Sequence, residues 1–395
     1  MKKFVTALLM CMVAGTAIAQ NQQMKALIED QFQFAREQYK VLAKNVSPTV
    51  MPKTYYQQSG KIETSDTKWW CSGFFPGSLL YIYEYTGDTA ILSEAKRRLN
   101  ILEKEKHFTG NHDLGFMMFC SFGNAYRILK DPAYRKTVDT AAASLSTRYR
   151  PNAQVIQSWN ASKKWGGPVI IDNMMNLELL NWVSDHGGDP RFKAIAIKHA
   201  NQTLKNHFRN DYSSYHVIDY NLQTGEVVKK QTAQGAADES AWSRGQAWGL
   251  YGYLVMFRST KDKRYLKQAK NIAKFILNHP NLPQDKVPYW DFNAPTIPDP
   301  KTNRDASAAA IIASALLELG QYTSKQERTK YVAVAQQMLT SLSTTAYRAN
   351  LGENGGFLLM HSTGSLPGNS EVDVPLTYAD YYYLEALLRY KNWYL

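Results

Sequence analysis

Apolar residues recur at steps of three and four positions along most of this chain, a spacing that predicts amphipathic helices. Polar residues occupy the intervening positions, so each predicted helix has one face suited to burial. The pattern predicts about twelve helices, which together place the chain in the all-α class. Their approximate spans are 22–45, 74–86, 88–105, 114–130, 132–148, 173–186, 189–208, 240–259, 262–278, 305–320, 325–343 and 376–391.

The signals that start these helices recur at irregular intervals. Asp88, Asp131, Asp189 and Asp262 each open a new amphipathic segment, and Pro follows the second and third of them, as at many helix starts. The intervals are 43, 58 and 73 residues, whereas a regular solenoid has a fixed period. Helices paired into six hairpins can instead close into a ring. We therefore predict an all-α (α/α)6 barrel, with a single strand hairpin around residues 215–230.

The first nineteen residues have the pattern of a secretory signal peptide. Lys2 and Lys3 are followed by an apolar stretch over residues 4–14 and by small residues at 17–19. The apolar stretch is too short to span a bilayer, and no later stretch is long and apolar enough. We therefore expect cleavage after Ala19, export to the periplasm and no stable membrane insertion. Residues 20–395 would then form one barrel domain.

Charge and composition narrow the class of partner. The formal net charge is +12, or +10 without Lys2 and Lys3, and this favours an anionic ligand or surface. The basic residues are dispersed and form no nucleic-acid-binding motif, so we expect no nucleic-acid partner. The nine Trp and twenty-five Tyr residues suit both a sugar-binding cleft and a large helical core, and leave that choice open.

Cysteine and histidine usage argues against a metal site. Cys71 and Cys120 are the cysteines that remain after signal cleavage, and we expect both to be buried free thiols. The chain contains neither CxxC nor HExxH, and its eight histidines show no zinc-ligand spacing. The oligomeric state has no signature in the sequence.

Two lone aspartates at predicted loop-to-helix junctions are the strongest candidates for chemistry. Asp113 lies in the motif at residues 112–116, and Asp172 lies in the motif at residues 171–176, each beside apolar residues. Such surroundings raise a carboxyl pKa by desolvation, and a second carboxylate raises one of the two further. These properties suit a general acid and base. The alternative is helix capping, because Asp is a favoured N-cap residue.

The aspartates would share a rim of the barrel with a third cluster. Both would enter even-numbered helices, which would line the inside, and long loops would gather at that rim. Trp242, Arg244 and Trp248 occupy the first turns of a further helix. Arg244 is a rigid cationic fork suited to a carboxylate, and Trp248 lies on roughly the same helix face. The alternatives are an ion pair for Arg244 and core packing for the tryptophans.

Other polar residues have more ordinary interpretations. Asp305 precedes an alanine-rich helix and is predicted to cap it. His216 lies among tyrosines in a loop, where a lone histidine is more often structural or exposed. A loop broken by Gly and Pro could close a pocket or form ordinary turns, and its polar residues are Ser365, Asn369 and Ser370.

Taken together, these motifs resemble those of glycoside hydrolase family 88, the unsaturated glucuronyl hydrolases. The resemblance rests on residues 112–116, 171–175, 240–248 and 378–386, which occur in the family's order. It implies an (α/α)6 barrel that removes a 4,5-unsaturated uronic acid from the non-reducing end of lyase-generated oligosaccharides, in particular glycosaminoglycan fragments. It also implies that neither a metal nor an organic cofactor is required.

The resemblance also implies roles for individual residues. Asp172 matches the proton donor and base, and Asp113 matches the second essential aspartate. The residues matching the subsite for the unsaturated uronic acid are His216, Thr232, Gln234, Arg244 and Trp248. Trp70, Trp242 and Trp159 match aromatic positions of the pocket wall. In one departure from the family pattern, Lys230 replaces a glycine, and it either adds a cation beside the pocket or points to solvent.

The chemistry implied by the resemblance is hydration of a vinyl ether. Asp172 would protonate C4 and then accept a proton from the water that attacks C5, while Asp113 would hold a substrate hydroxyl and raise the pKa of Asp172 by repulsion. Two alternatives remain at this point. One is an unsaturated rhamnogalacturonyl hydrolase acting on pectin fragments, and the other is a non-catalytic periplasmic glycan-binding protein.

Overall fold

The structure is a computed structural model that describes the backbone of residues 2–395 and the side chains of residues 21–395. Helix α1 spans Lys2–Asn45. The signal peptide predicted at residues 1–19 lies outside the residues described with side chains, so it stays a prediction. Among the described residues, no helix has both the length and the hydropathy to cross a membrane.

The remaining helices lie close to their predicted positions. Their bounds are α2 Phe74–Thr86, α3 Thr89–Leu102, α4 Asn124–Leu129, α5 Pro132–Ser146, α6 Asn173–Asp185, α7 Pro190–Asn206, α8 Ser243–Thr260, α9 Lys263–Asn278, α10 Ala306–Gln321, α11 Lys325–Leu342 and α12 Thr377–Tyr394. A π-helical segment, Gly115–Gly123, runs directly into α4, and short 3-10 helices occur at Glu103–His107 and Asn354–Gly356.

Aspartate caps set the starts of several helices, as the sequence predicts. The carboxylates of Asp88, Asp131, Asp189 and Asp262 accept hydrogen bonds from backbone N–H groups in the first turns of α3, α5, α7 and α9. Asp305 caps α10 in the same way. These bonds satisfy donors that a helix start otherwise leaves unpaired. The predicted caps are therefore confirmed.

The even-numbered helices form a closed inner ring. With the π-helical segment counted as part of α4, the contacts run from α2 to α4, α6, α8, α10, α12 and back to α2. Helix α10 is buried along almost its whole length, whereas the outer helix α9 buries only residues spaced three or four apart. An apolar stripe suits an outer helix and all-round burial suits an inner one. The predicted (α/α)6 barrel is confirmed.

Short strands lie in the loops that lead from odd-numbered into even-numbered helices. They are β1 Met51–Tyr56, β2 Lys61–Ser65, β3 Tyr149–Arg150, β4 Val155–Ile156, β5 Pro168–Ile170, β6 Val217–Tyr220, β7 Val227–Gln231, β8 Ser362–Ser365 and β9 Ser370–Val374. The predicted hairpin is confirmed as β6 and β7. The expectation of a single hairpin is wrong, because strands of two to six residues are too short to show clear alternation.

The inside of the barrel is filled by aromatic rings from four inner helices. Phe74, Phe116, Trp248 and Tyr382 are buried and pack with ring centroids 5.1–5.9 Å apart. We call these four residues the aromatic plug. The indole N–H of Trp248 lies close to the carboxyl of Asp172, which lines the cavity at the loop end, described below. Tyr382 lines a second cavity, of about 610 Å³, among the carboxyl-terminal halves of the inner helices. The plug therefore separates the two ends.

Cys71 and Cys120 are free thiols, as the sequence predicts. Cys71 is buried, whereas Cys120 is only partly buried and lines the second cavity. Burial raises the pKa of both thiols. Neither is therefore poised to act as a nucleophile at neutral pH.

Candidate active site

A cavity of about 280 Å³ opens at the loop end of the barrel, where the even-numbered helices begin. Seven of the predicted site residues line it: Trp70, Asp113, Trp159, Asp172, His216, Gln234 and Arg244. His112, Ile170 and Ala233 complete the lining. Residues far apart in sequence therefore meet in one pocket, as the barrel geometry requires.

Asp172 occupies the N-cap position of α6, but its side chain makes no capping hydrogen bond. The side-chain amide of Asn173 stabilises this junction by donating a hydrogen bond to the carbonyl of Ile156 at 2.6 Å. Asp172 is 7% exposed. Burial raises its pKa to about 7, while the charge of Arg244 and the indole N–H of Trp248 act in the opposite direction. The capping alternative is wrong for Asp172, whose carboxyl can exchange a proton near neutral pH.

Asp113 lies in the turn that leads into the π-helical segment, and it provides no side-chain cap there. Burial raises its pKa well above the ordinary value, and the negative charge of Asp172 raises it further, whereas Arg148 lowers it. Burial is therefore the main cause for both carboxyls, and the repulsion raises the pKa of Asp113 instead of that of Asp172, opposite to the prediction. Nε2 of His112 lies 3.3 Å from the Asp113 carboxylate.

A glycine contact brings the two aspartates to the same pocket. Gly115 packs against α6 so closely that a Cβ there would lie 2.4 Å from the Cα of Asn176. The Asn176 side chain accepts a hydrogen bond from the backbone N–H of Phe116 at 2.9 Å. This contact joins the segment after Asp113 to the first turn of the helix after Asp172.

His216 presents a fixed N–H group to Asp172. Its Nδ1 accepts hydrogen bonds from the backbone N–H groups of Ala233 and Gln234, at 3.0 and 3.2 Å. Burial lowers the pKa of His216 to about 3, so the ring is neutral and carries its proton on Nε2. That atom lies 3.7 Å from Oδ2 of Asp172. Trp242 packs against the other side of the imidazole, with ring centroids 4.6 Å apart.

Arg244 holds three parts of the rim together. Its guanidinium forms an ion pair with Asp305 at 2.8 Å and donates to the carbonyls of Thr363 and Gly364 at 2.6 and 2.7 Å. The predicted alternative of an ion pair is therefore confirmed. Arg244 nevertheless lines the cavity, and its Nε has no hydrogen-bond partner among the described residues. The predicted contact with a substrate carboxylate stays a prediction.

Gln234 and Thr232 differ in their relation to the cavity. The amide of Gln234 lines the cavity and donates to the carbonyl of Gly364 at 3.3 Å. Thr232 does not line the cavity, and its hydroxyl accepts a hydrogen bond from the N–H of Gly235 at 2.7 Å. This hydroxyl therefore shapes the loop that carries Gln234.

The predicted aromatic residues divide into two pairs. Trp70 and Trp159 line the cavity. Trp242 and Trp248 are buried, the first beneath His216 and the second within the aromatic plug, and neither lines the cavity. The core-packing alternative describes this second pair, although both support groups that face the pocket.

The C-terminal loop residues form the end of the β8–β9 hairpin, and none of them lines the cavity. Ser365 pairs with Ser370, and its hydroxyl accepts a hydrogen bond from the N–H of Gly368 at 3.2 Å. Asn369 has a positive φ of 45°, as turn residues often do. The turn interpretation describes these contacts. Lys230 also lies outside the lining, with its Nζ 5.0 Å from the ring centroid of Tyr215.

Two polar groups near the site were missed by the sequence analysis. Glu371 on β9 is buried, and burial raises its pKa, while Lys53 and Arg244 lower it. Tyr378, at the start of α12, lies beneath the guanidinium of Arg244 at 5.3 Å. Tyr378 lies in a recognised motif, whereas Glu371 is an isolated polar residue on a short strand and has no sequence signal. In the side chains described, no group of three or more His, Cys, Asp and Glu residues could hold a metal ion.

Comparison with known proteins agrees with this architecture. The family described as Glycosyl Hydrolase Family 88 matches residues 42–394. An unsaturated glucuronyl hydrolase of Formosa agariphila is 47% identical over 328 residues, 82% of this chain and 81% of the relative. One from Bacillus sp. (strain GL1) is 36% identical, with 84% and 88% covered. A solved unsaturated glucuronyl hydrolase specific for heparin has a TM-score of 0.89 and 45% identity, with 93% and 97% covered. The chain is therefore an enzyme that belongs to glycosyl hydrolase family 88.

Proposed function

We propose that this enzyme removes a 4,5-unsaturated uronic acid from the non-reducing end of lyase-generated glycosaminoglycan fragments by adding water across the C4=C5 bond. The observation that carries this proposal is the buried carboxyl of Asp172, whose pKa is about 7, at the wall of a cavity sized for a sugar. The names of relatives support the substrate class, because they include a hydrolase specific for heparin and streptococcal unsaturated chondroitin disaccharide hydrolases.

In the proposed reaction, Asp172 acts first as acid and then as base. The C4=C5 bond of the substrate is a vinyl ether, so proton transfer from Asp172 to C4 leaves an oxocarbenium centre at C5. The Asp172 carboxylate then takes a proton from the water that attacks C5. The resulting hemiketal opens to a ketone, the former ring oxygen becomes a hydroxyl on C1, and C1 releases the next sugar. A pKa near neutrality suits a group that performs both transfers.

Neighbouring groups have complementary roles in this proposal. Burial and the negative charge of Asp172 raise the pKa of Asp113, which favours its neutral form, and a neutral carboxyl can donate a hydrogen bond to a substrate hydroxyl. The Nε2–H of His216 stabilises the Asp172 carboxylate between the two transfers. Arg244, whose side chain lines the cavity, binds the uronate carboxylate. Trp70 and Trp159 pack against the sugar faces.

Isotope labelling tests the hydration mechanism. In deuterium oxide, the wild-type enzyme should place deuterium at C4 of the released keto-sugar, and in methanol–water mixtures it should form a methyl ketal at C5. An enzyme that attacks C1 would leave C4 unlabelled and form a methyl glycoside. Consumption of the disaccharide without deuterium at C4 would refute hydration.

A substrate panel tests the polysaccharide class. We expect loss of the ultraviolet absorbance of the C4=C5 bond with unsaturated glycosaminoglycan disaccharides, and much slower loss with an unsaturated rhamnogalacturonan disaccharide. A faster reaction on the latter would instead favour the pectin-directed alternative. Binding of both disaccharides without any loss of absorbance would refute the proposed hydration of the C4=C5 bond.

Export is proposed from the sequence of residues 1–19. A basic start, an apolar stretch and small residues before Gln20 are the features that direct secretion and cleavage. N-terminal sequencing of the protein recovered from a periplasmic fraction should begin at Gln20. Recovery of the uncleaved chain from the cytoplasm would contradict the proposal.

A further inference from the structure

A pair of indoles extends from the cavity toward the surface. Trp159 lines the cavity, and Trp165 meets it edge to face, with ring centroids 5.4 Å apart and planes at 62°. The indole N–H of Trp165 donates to the side chain of Gln231 on β7 at 3.0 Å. We call Trp159 and Trp165 the indole ledge. Because Trp165 is only partly buried, the ledge offers ring surface beyond the cavity.

The loop that carries Trp165 is held in place by its own hydrogen bonds. The hydroxyl of Ser162 accepts from the backbone N–H groups of Lys164 and Trp165, at 3.2 and 3.3 Å, and the N–H of Ser162 donates to the carbonyl of Trp165 at 2.8 Å. Nζ of Lys229 on β7 donates to the carbonyl of Lys164 at 2.8 Å. The ledge is therefore preorganised, which lowers the entropic cost of binding to it.

An ammonium group without a carboxylate partner among the described residues lies over the indole ledge. Nζ of Lys164 lies 4.4 Å from the ring centroid of Trp165, and the side chain is exposed. The ion pairs formed by the side chains of residues 21–395 do not include Lys164. A cation without a carboxylate partner is available to an anionic ligand.

We propose that Lys164 and Trp165 form a further subsite, which binds an anionic substituent on the sugars that follow the unsaturated uronate. The inference rests on the proposed function and extends it to the substrate beyond the cavity. Trp165 contacts the sugar face, and the Lys164 ammonium binds the anion as a point charge. A sulfate ester on the second sugar and the carboxylate of a uronate at the third position are the two sources of such an anion.

Kinetics on three substrates test the subsite. They are an unsulfated unsaturated disaccharide, the same disaccharide with sulfate on the second sugar, and an unsulfated tetrasaccharide with a uronate at the third position. Lys164→Gln should raise KM about fivefold for an anion-bearing substrate, because an exposed ion pair contributes at most about that factor. The variant should leave kcat unchanged for every substrate and KM unchanged for the unsulfated disaccharide. Lys267→Gln, at an exposed lysine on the outer helix α9, is the matched control and should change nothing. Trp165→Leu should raise KM for every substrate that reaches the ledge.

The outcomes distinguish a sulfate from a carboxylate as the bound anion, and they test the subsite separately from the proposed function. An effect on the sulfated disaccharide identifies a sulfate, and an effect on the tetrasaccharide identifies a carboxylate. If Lys164→Gln changes KM equally for all three substrates, or for none, the subsite is refuted. Loss of the ultraviolet absorbance by the wild-type enzyme tests the proposed function separately. Calorimetric binding of the same substrates to Asp172→Asn, with and without Lys164→Gln, tests the subsite even if turnover is absent.

Discussion

Replacement of Asp172 by Asn should abolish turnover and, at the same time, stabilise the folded protein. The Asp172 side chain is 7% exposed, and burial raises its pKa to about 7. The folded protein therefore favours the neutral carboxyl over the carboxylate. Asn has nearly the same shape and carries no charge at any pH, so the variant avoids the cost of a buried negative charge.

The size of this stabilisation follows from the pKa shift. An Asp in an unfolded chain has a pKa of about 3.9, so raising it to about 7 corresponds to about 4 kcal/mol, at about 1.4 kcal/mol for each tenfold change in proton affinity. Between about pH 4 and about pH 7 the folded protein keeps a proton that the unfolded chain has released. The Asp172 contribution to wild-type stability is therefore fully present below about pH 4 and lost as the pH rises through about 7.

Chemical denaturation of both proteins across this pH range measures the effect. The difference in unfolding free energy, variant minus wild type, should grow from near zero at about pH 4 to as much as about 4 kcal/mol at about pH 8. Asp291→Asn is the matched control. The buried Asp291 carboxylate accepts hydrogen bonds from Ser240, Ala236 and Asn293 at 2.6–2.9 Å. Its loss should destabilise the fold by about 1–3 kcal/mol.

Turnover provides the second half of the test. A general acid typically contributes about 100- to 10,000-fold, and here one residue serves two steps, so the loss should lie at or beyond the upper end. If the Asp172→Asn variant keeps more than about a tenth of wild-type turnover, the catalytic role of Asp172 is refuted. A stability difference that does not change with pH would refute the raised pKa, whatever the activity.

The remaining predictions concern Arg244, Gly115 and His207, a buried residue whose Nε2 lies 3.2 Å from the carbonyl of Val169 on β5. Arg244→Lys loses the planar fork that reaches Asp305 and two carbonyls, and denaturation should show a loss of about 3 kcal/mol. Methyl esterification of the uronate should then cost this variant less affinity than the wild type, and an equal cost would exclude contact with that carboxylate. Burial lowers the pKa of His207 to about 3, so stability should be lost as the pH falls below about 6.5 and the unfolded histidine takes up a proton. His207→Gln should flatten that decline, and an unchanged slope would contradict the assignment. Gly115→Ala should force the π-helical segment away from Asn176 and lower kcat, with wild-type kcat as the contrary result.

The helices and the catalytic candidates could be predicted because their signals are local. Asp131 and Asp189 start helices through bonds to residues two positions away. Asp172 and Asp113 are lone carboxylates among apolar residues, so their burial follows from their immediate neighbours. The short strands could not be predicted in this way. Strand β5 pairs with β6 across about fifty intervening residues, and its three residues show no readable alternation.

The directions of loop side chains depended on contacts that the sequence does not display. Two of the partners of Arg244 are Asp305 and Gly364, which lie 61 and 120 positions away and meet it only after the ring closes. The hydroxyl of Thr232 accepts a hydrogen bond from the backbone N–H of Gly235, three residues further along the chain. Motif resemblance alone therefore does not separate residues that line the cavity from residues that support it.

The aromatic plug closes the pocket at its inner end. A polysaccharide cannot thread through the barrel past Phe116 and Trp248, whose ring centroids lie 5.1 Å apart. A chain must therefore enter end first, and the residue that reaches Asp172 is a terminal one. The same four rings that stabilise the centre of the fold thus limit the enzyme to trimming chain ends, and internal linkages of a long polymer stay beyond its reach.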